Sequence, residues 1–221
     1  MEDLTLLIPA KFEKESLHIV LDELVKYKLK IVVILEKDDL DTINSINDKD
    51  CKILYQNGSG YGDALIYGIE NVQTKFFCIF NADGSFDPKE LQTMYDQIKN
   101  ANNDFVFGTR YAKNASSDDD TIITLIGNKI FSFLGKIFFS LPISDILYTF
   151  IIGDTEKAKS LRLKEKSFSF CIELPIKANR LNYKLISVPS NERSRIGGEK
   201  KVNAFRDGLK ILISMIKIYF K

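Results

Sequence analysis

The sequence predicts an α/β fold with a mostly parallel central sheet flanked by helices, and three observations carry that expectation. Short apolar runs recur at residues 4–8, 31–35, 51–55, 76–80 and 104–107, each of a length that suits a buried strand. The stretches between them, at 14–28, 61–71 and 88–100, carry apolar residues at spacings of three and four, the period of an amphipathic helix. Strands alternating with helices form parallel sheets. A chain of 221 residues, 45% hydrophobic, can bury one such core and is short for two.

The ends of the runs matter most. The first run ends at Pro9-Ala10-Lys11, the second at Glu36-Lys37-Asp38, the third at Gln56-Asn57-Gly58 and the fourth at Asn81-Ala82-Asp83. Ligands of open α/β sheets bind beyond the carboxyl ends of the strands, so these four segments should converge on one crevice. After the third run, Gly58-Ser59-Gly60-Tyr61-Gly62 leads into a helix whose first N–H groups favour an anion, and glycine permits close backbone approach. The segment has neither the Gly-Lys-Ser of a Walker loop nor the third glycine of a dinucleotide fingerprint. A plain flexible turn fits the same composition.

The fourth run stops abruptly at an oxygen-rich turn. Alternate residues of an extended chain point to the same side, so Asn81 and Asp83 can share one hard cation, Mg²⁺ or Mn²⁺, with Ser85 adding an oxygen. A turn in which Asp83 caps backbone donors meets the same spacing. Asp87 stands in the N-cap position ahead of Pro88, a helix start. The fifth run leads to Gly108-Thr109-Arg110, and a guanidinium suits phosphate.

Beyond Arg110 the alternation stops. Residues 121–141 are strongly apolar, with Thr124, Asn128, Ser132, Lys136 and Ser140 recurring every fourth position as one polar stripe. This predicts an amphipathic helix, packed on the sheet or in a dimer contact, or laid on a membrane. In residues 204–221 a polar stripe of Arg206, Asp207, Lys210, Ser214, Lys217 and Lys221 opposes a broad face that includes Phe205, Leu209, Leu212, Ile213 and Ile216. Between the two, Asp145 and Glu173 are carboxylates in otherwise apolar stretches. Such surroundings raise a carboxylate's pKa, which suits Asp145 as a general base; Glu173 reads better as a structural acceptor. Arg193, Arg195, Lys200 and Lys201 surround Gly197-Gly198, a basic loop able to close over phosphate.

Thirty-one basic against thirty acidic residues offer no electrostatic footprint for nucleic acid. Residues 193–221 hold eight Lys or Arg and two acids, a local excess that can orient a protein at an anionic surface. Cys51, Cys78 and Cys171 are too scattered for a disulfide framework, and Met1-Glu2-Asp3-Leu4 does not open like a secretion signal, so a cytoplasmic location is expected. His18, the single histidine, lies in the first helical pattern and supports no histidine mechanism.

In order and spacing these segments resemble the inverting family 2 glycosyltransferases, close to the dolichol-phosphate mannosyltransferase type. Residues 7–15 are similar to the opening strand and its Pro-x-x-x-Glu turn, here Pro9 and Glu13; Glu36 stands where an Asp is usual. Gly58-x-Gly60-Tyr61-Gly62-x-Ala64 resembles the glycine-rich segment. Asn81-Ala82-Asp83 occupies the Asp-x-Asp position, Gly108-Thr109-Arg110 the Gly-Ser-Arg position, and Arg195-x-Gly197-Gly198-x-Lys200 the basic loop. Asn81 replaces the first Asp of the metal motif, and residues 148–153 lack the arginine often found after the Asp matching Asp145.

The resemblance implies a GT-A fold over a single domain of residues 1–221, with a nucleotide-sugar half at 1–110, an acceptor half at 111–203 and an amphipathic helix at 204–221. It implies a donor pocket of Pro9, Ala10, Glu13, Glu36, Gly60, Asp63, Asn81, Ala82 and Asp83, with Asp83, Asn81 and Ser85 around Mg²⁺ or Mn²⁺. Arg110, Arg195 and Lys200 would balance phosphate charge, and Asp145 would serve as base for a hydroxyl acceptor. The expected activity is transfer of a hexose from a nucleotide-diphosphate sugar to a polyprenyl phosphate or glycan acceptor, in cell-envelope or surface glycan synthesis. The enzyme would work peripherally on the inner face of the cell membrane, as a homo-oligomer or with a membrane-protein partner. A sugar nucleotidyltransferase and a non-catalytic nucleotide-sugar or lipid-binding partner are the alternatives.

Overall fold

The computed structural model describes residues 1–197 and 204–220. The chain runs β1 (Leu4–Pro9), α1 (Leu17–Leu24), β2 (Lys30–Leu35), α2 (Leu40–Ser45), β3 (Lys52–Tyr55), α3 (Tyr61–Asn71), β4 (Phe76–Ile79), α4 (Leu91–Lys99) and β5 (Phe105–Thr109). It continues as β6 (Ser116–Ser117), α5 (Ile122–Phe139), β7 (Ile151–Asp154), α6 (Thr155–Ser160), α7 (Phe170–Arg180), β8 (Leu185–Pro189), β9 (Asn191–Glu192) and α8 (Ala204–Tyr219). Seven strands form one sheet in the order β3-β2-β1-β4-β7-β5-β8, and β6 pairs with β9 alone.

The five apolar runs all become strands, and β1 and β4 are buried on both faces as central parallel strands must be. The expected helix at 61–71 is α3. The pattern at 14–28 yields the shorter α1 and a single 3₁₀ turn, closed where Lys28 takes a left-handed conformation with φ 50°. Asp87 caps as expected: its Oδ1 accepts from the Lys89 N–H at 3.0 Å.

Sequence periodicity does not anticipate β7. It runs antiparallel between β4 and β5, with Ile151 opposite both Ile79 and Phe107 and Gly153 opposite both Phe77 and Phe105. A Cβ on Gly153 would lie 2.6–2.7 Å from the rings of Phe105 and Phe77, so glycine is what lets both rings close over the strand.

One face of the sheet is covered by α1 and α4 through Leu17, Val20, Leu21, Leu91, Met94 and Ile98. The other is covered by α3, α6 and α7 and by one side of α5 and α8. These last two helices bury some apolar residues, among them Ile211, Met215 and Ile218, but also turn polar groups inward and long apolar stripes outward. On α5, Ile122, Ile126, Ile130, Phe133 and Ile137 are exposed, while Asn128 donates to the Tyr111 hydroxyl at 3.0 Å and Ser132 accepts from the Ile146 N–H at 3.1 Å. The polar stripe anticipated for 121–141 therefore exists in Asn128 and Ser132 but faces the protein; Lys136 stays exposed and Ser140 ends the helix with φ 52°. On α8, Asp207 and Ser214 are buried with Ile211, Met215 and Ile218, and Phe205, Leu209, Leu212, Ile213 and Ile216 point outward. Lys221 lies outside the described residues.

Candidate active site

The carboxyl ends of β1, β2 and β4, the residues that follow β3, and the start of α3 meet at a cavity of about 370 Å³. At one end, Pro9, Ala10 and Glu13 leave β1 and face Glu36 from the end of β2. Glu36 accepts from Lys11 Nζ at 2.7 Å, and buried Glu13 accepts from the Ser16 hydroxyl at 2.8 Å. Gly60, Asn81, Ala82, Asp83, Arg110 and Arg195 complete the expected residues that line it.

The turn after β4 is built around Asp83. Its Oδ1 accepts from the Ser85 N–H at 3.0 Å and from the Ser85 hydroxyl at 2.7 Å, and Asn81 Nδ2 donates to that hydroxyl at 3.2 Å. Oδ2 faces Arg195, whose guanidinium lies 3.7 Å away and also holds Asp119 at 3.0–3.2 Å. Bonding to Asp119 makes Arg195 hold its proton more tightly than an ordinary arginine, with burial opposing and Asp83 adding. Two backbone bonds fasten the basic segment onto this turn: Arg193 N–H to Ser85 O and Ile196 N–H to Asp83 O, both 2.8 Å. The turn itself needs Gly84, whose φ is +81° and against which the Ile196 side chain packs.

These residues fit a hard divalent cation. Asp83 offers an anionic oxygen whose present neighbour is a positive group, Asn81 offers a neutral amide oxygen, and such ions accept one or two carboxylates when substrate phosphates supply the rest. Among the described residues no three His, Cys, Asp or Glu side chains cluster as a metal group, so a cation held here would take its remaining ligands from substrate oxygens or water. Ser85 is buried beneath Asp83 and does not line the cavity; it orients the ligand and is not placed as one.

Across the cavity Arg110 is held almost wholly by carboxylates. Its Nε and one terminal nitrogen donate to Asp145 at 2.8 and 3.1 Å, the other terminal nitrogen donates to Glu192 at 3.2 Å, and the Tyr148 ring lies 4.7 Å from the guanidinium carbon. Burial is the largest influence and opposes the charge of Arg110, but the hydrogen bond and charge of Asp145 together with the charge of Glu192 outweigh it, and the guanidinium binds its proton tightly. Asp145 is 0% exposed and absent from the cavity wall. With both oxygens committed to Arg110 it is a positioning residue, which corrects the expectation of a base. Asp63 is corrected likewise: it turns away from the cavity to accept from the Gly58 N–H at 3.1 Å and to meet Lys166 Nζ at 3.1 Å. Lys200 lies outside the described residues.

The glycine-rich segment also acquires a different reason. Gly60 has φ +105°, and added Cβ atoms on Gly60 and Gly62 would run into the carbonyl oxygens of Lys166 and Glu165. The close approach is made by the protein's own backbone, reinforced by Asp63 N–H to Lys166 O at 3.1 Å.

Sequence reasoning missed Glu192, Leu147, Tyr148, Thr149, Phe168 and Cys171, all in the cavity wall. Burial raises the pKa of the Glu192 carboxyl above the usual range, with Arg110 and Ser117 pulling it back. Burial also pushes the Cys171 thiol up to about 12, so it is no nucleophile at neutral pH. The signal for Glu192 was available: residues 185–189 form one more short apolar run with a polar end, and strand ends on this sheet carry the site.

Residues 5–162 match the family model described as Glycosyl transferase family 2. Uncharacterized glycosyltransferases of Mycobacterium tuberculosis and Mycobacterium bovis are each 23% identical over 210 residues, covering 95% of this chain and 94% of the relative. Among solved structures, glucosyl-3-phosphoglycerate synthase from Mycobacterium tuberculosis in complex with UDP superposes with a TM-score of 0.78 at 12% identity, over 98% of this chain and 79% of that one. The same enzyme with Mn²⁺, UDP-glucose and phosphoglyceric acid gives a TM-score of 0.78 at 12% identity over the same shares.

Proposed function

This chain belongs to glycosyl transferase family 2, and from that premise we propose that it transfers a hexose from a nucleotide-diphosphate sugar to a polyprenyl phosphate, peripherally at the inner face of the cell membrane, in envelope or surface glycan synthesis. The observation that carries the proposal is the pairing, in one cavity, of a cation-ready carboxylate, Asp83, with two guanidinium groups, Arg195 and Arg110. The nucleoside half of the donor is assigned to the Pro9, Glu13 and Glu36 end, and the diphosphate to Asp83 and Asn81. A bound Mg²⁺ or Mn²⁺ would supply neutralisation of the leaving diphosphate.

The chain's own residues favour a phosphate acceptor over a hydroxyl. Asp145 is tied to Arg110 by both oxygens, so the buried carboxylate nearest the guanidinium is not placed to take a proton. An acceptor phosphate is already an anion and needs no base. Arg110, anchored by Asp145, holds such an anion by releasing Glu192 from its terminal nitrogen, and Arg195 likewise exchanges its present partners for developing negative charge.

The test is a thermal-shift panel of UDP- and GDP-sugars with and without Mn²⁺, followed by transfer to polyprenyl phosphate. A donor that binds only the native state raises the melting temperature, and a metal-dependent rise with one donor class is expected. Arg195→Ala should keep that rise and lose turnover by about 100-fold or more. No rise with any donor, or turnover unchanged in Arg195→Ala, would overturn the proposal.

A further inference from the structure

We propose that the joined outer faces of α5 and α8 form a docking surface for an anionic lipid bilayer, an inference that rests on the acceptor reading above and names the face through which that acceptor's membrane is met. The observation is an exposed apolar stripe that two neighbouring helices share, each helix turning polar groups as well as apolar ones inward. α5 and α8 pack against each other, with Phe138 and Phe139 of the first against Tyr219 of the second, and each exposes an apolar stripe, Ile126, Ile130 and Phe133 on the first and Leu209, Ile213 and Ile216 on the second. Soluble surfaces seldom carry two such stripes on packed helices without a partner.

Its borders carry one sign of charge. Lys129 and Lys136, seven residues apart on α5, and Lys210 and Lys217, seven apart on α8, are all exposed. By helical spacing each pair lies beside the apolar stripe of its own helix rather than opposite it. The sole acid on the two helices, Asp207, is buried. An apolar stripe edged with lysine is the pattern of a helix that lies in the headgroup plane, and the lysines complement anionic lipid. A second copy of the chain would bring the same lysine rims towards each other, which disfavours it as the occupant.

α5 has 18 residues and a composition long and apolar enough to cross a membrane, yet its reverse side forbids spanning in this fold. Asn128 reaches Tyr111 and Asp120, and Asp120 in turn meets Arg110 at 3.5 Å. Ser132 holds the N–H of Ile146, next in sequence to Asp145. The helix offered to the bilayer is thus hydrogen-bonded on its other side to the elements that fix Arg110. Seating it on lipid would set the cavity at a defined position against the membrane.

The experiment is flotation of the full chain with phosphatidylglycerol-containing vesicles and with pure phosphatidylcholine vesicles. The wild type is expected to float with the anionic vesicles and far less with the neutral ones. Ile126 and Phe133 are 54% and 61% exposed, so the double variant Ile126→Glu, Phe133→Glu should fold, as a retained donor thermal shift would confirm, and should no longer float. Lys136→Gln and Lys217→Gln should each weaken partitioning roughly fivefold. Val25→Glu, at a 66% exposed position outside α5 and α8, should change nothing. Failure of the wild type to float, or flotation unchanged in the double variant, would overturn the docking face. So would a wild-type dimer that the double variant converts to monomer, since a second copy would then be the occupant. Transfer to a soluble short-chain prenyl phosphate separates this inference from the activity on which it rests: transfer without flotation refutes only the docking face, and flotation without transfer to any phosphate acceptor refutes only the acceptor.

Discussion

On one side of the sheet α1 and α4 bury Leu17, Leu21, Met94 and Ile98 against the strands; on the other, α5 and α8 turn half-buried Asn128 and Ser132 and buried Asp207 and Ser214 inward and present Ile126, Phe133, Leu209 and Ile216 to solvent. The first pair follows the rule that an apolar stripe marks the core. The second shows that the stripe marks only the apolar partner of a helix, whatever that partner is. Where the cavity is nearby, polar inner faces serve a purpose that an apolar face cannot: they hold Tyr111, Asp120 and the loop bearing Asp145 by directed bonds.

Four substitutions would break or sharpen this contrast, each read as a shift in urea midpoint at unchanged m. The largest loss is expected for Asp145→Ala, which leaves the Arg110 guanidinium buried without its bidentate partner and should cost about 3–5 kcal/mol. A loss below about 1 kcal/mol would show that Glu192 and Asp120 suffice. Next, Leu21→Ala, at a 2% exposed position on α1, should cost about 3 kcal/mol as a cavity in an ordinary core. Asn128→Ala on the inner side of α5 should cost about 1 kcal/mol through lost hydrogen bonds; a gain in stability would mean that the inner face of α5 is not the polar seam described. The smallest effect belongs to Ile130→Ala, an apolar residue on a long apolar helix, expected to stay within about 0.5 kcal/mol of wild type because its side chain faces solvent. A loss near that of Leu21→Ala would return α5 to the first rule.

The legible part of the molecule is the part governed by local pattern. Residues 4–107 spell out five strands and three of their four helices, the six-residue α2 being too short to show a period, because each run packs against neighbours that share its period, and the polar strand ends at Pro9, Glu36 and Asn81 announced the crevice. Asp63 and Asp145 were misplaced for one reason: a carboxylate's type and spacing say that it needs a partner, not which partner it takes. Lys166 and Arg110, distant in sequence, are those partners. Leu147, Tyr148 and Thr149 entered the cavity through β7, whose four residues are too short to show a period and whose antiparallel direction depends on strands made earlier. α5 and α8 were read correctly as amphipathic, yet which face looks inward depends on tertiary context that the sequence pattern does not contain.

The place of β7 also bears on how the chain is made. Since β4 and β5 are joined through a strand supplied by residues 151–154, and β8 reaches β5 later still, a nascent chain that has already produced β5 holds three unpaired inner edges, one on β4 and two on β5, and no seam between them. Such edges are templates for wrong pairing, and their closure waits for distant sequence, which slows folding. The first half of the chain is therefore not an autonomous folding unit. Its release from the ribosome as a fragment should give a product retained by chaperones, while extension through β8 should allow the sheet to close in one cooperative step.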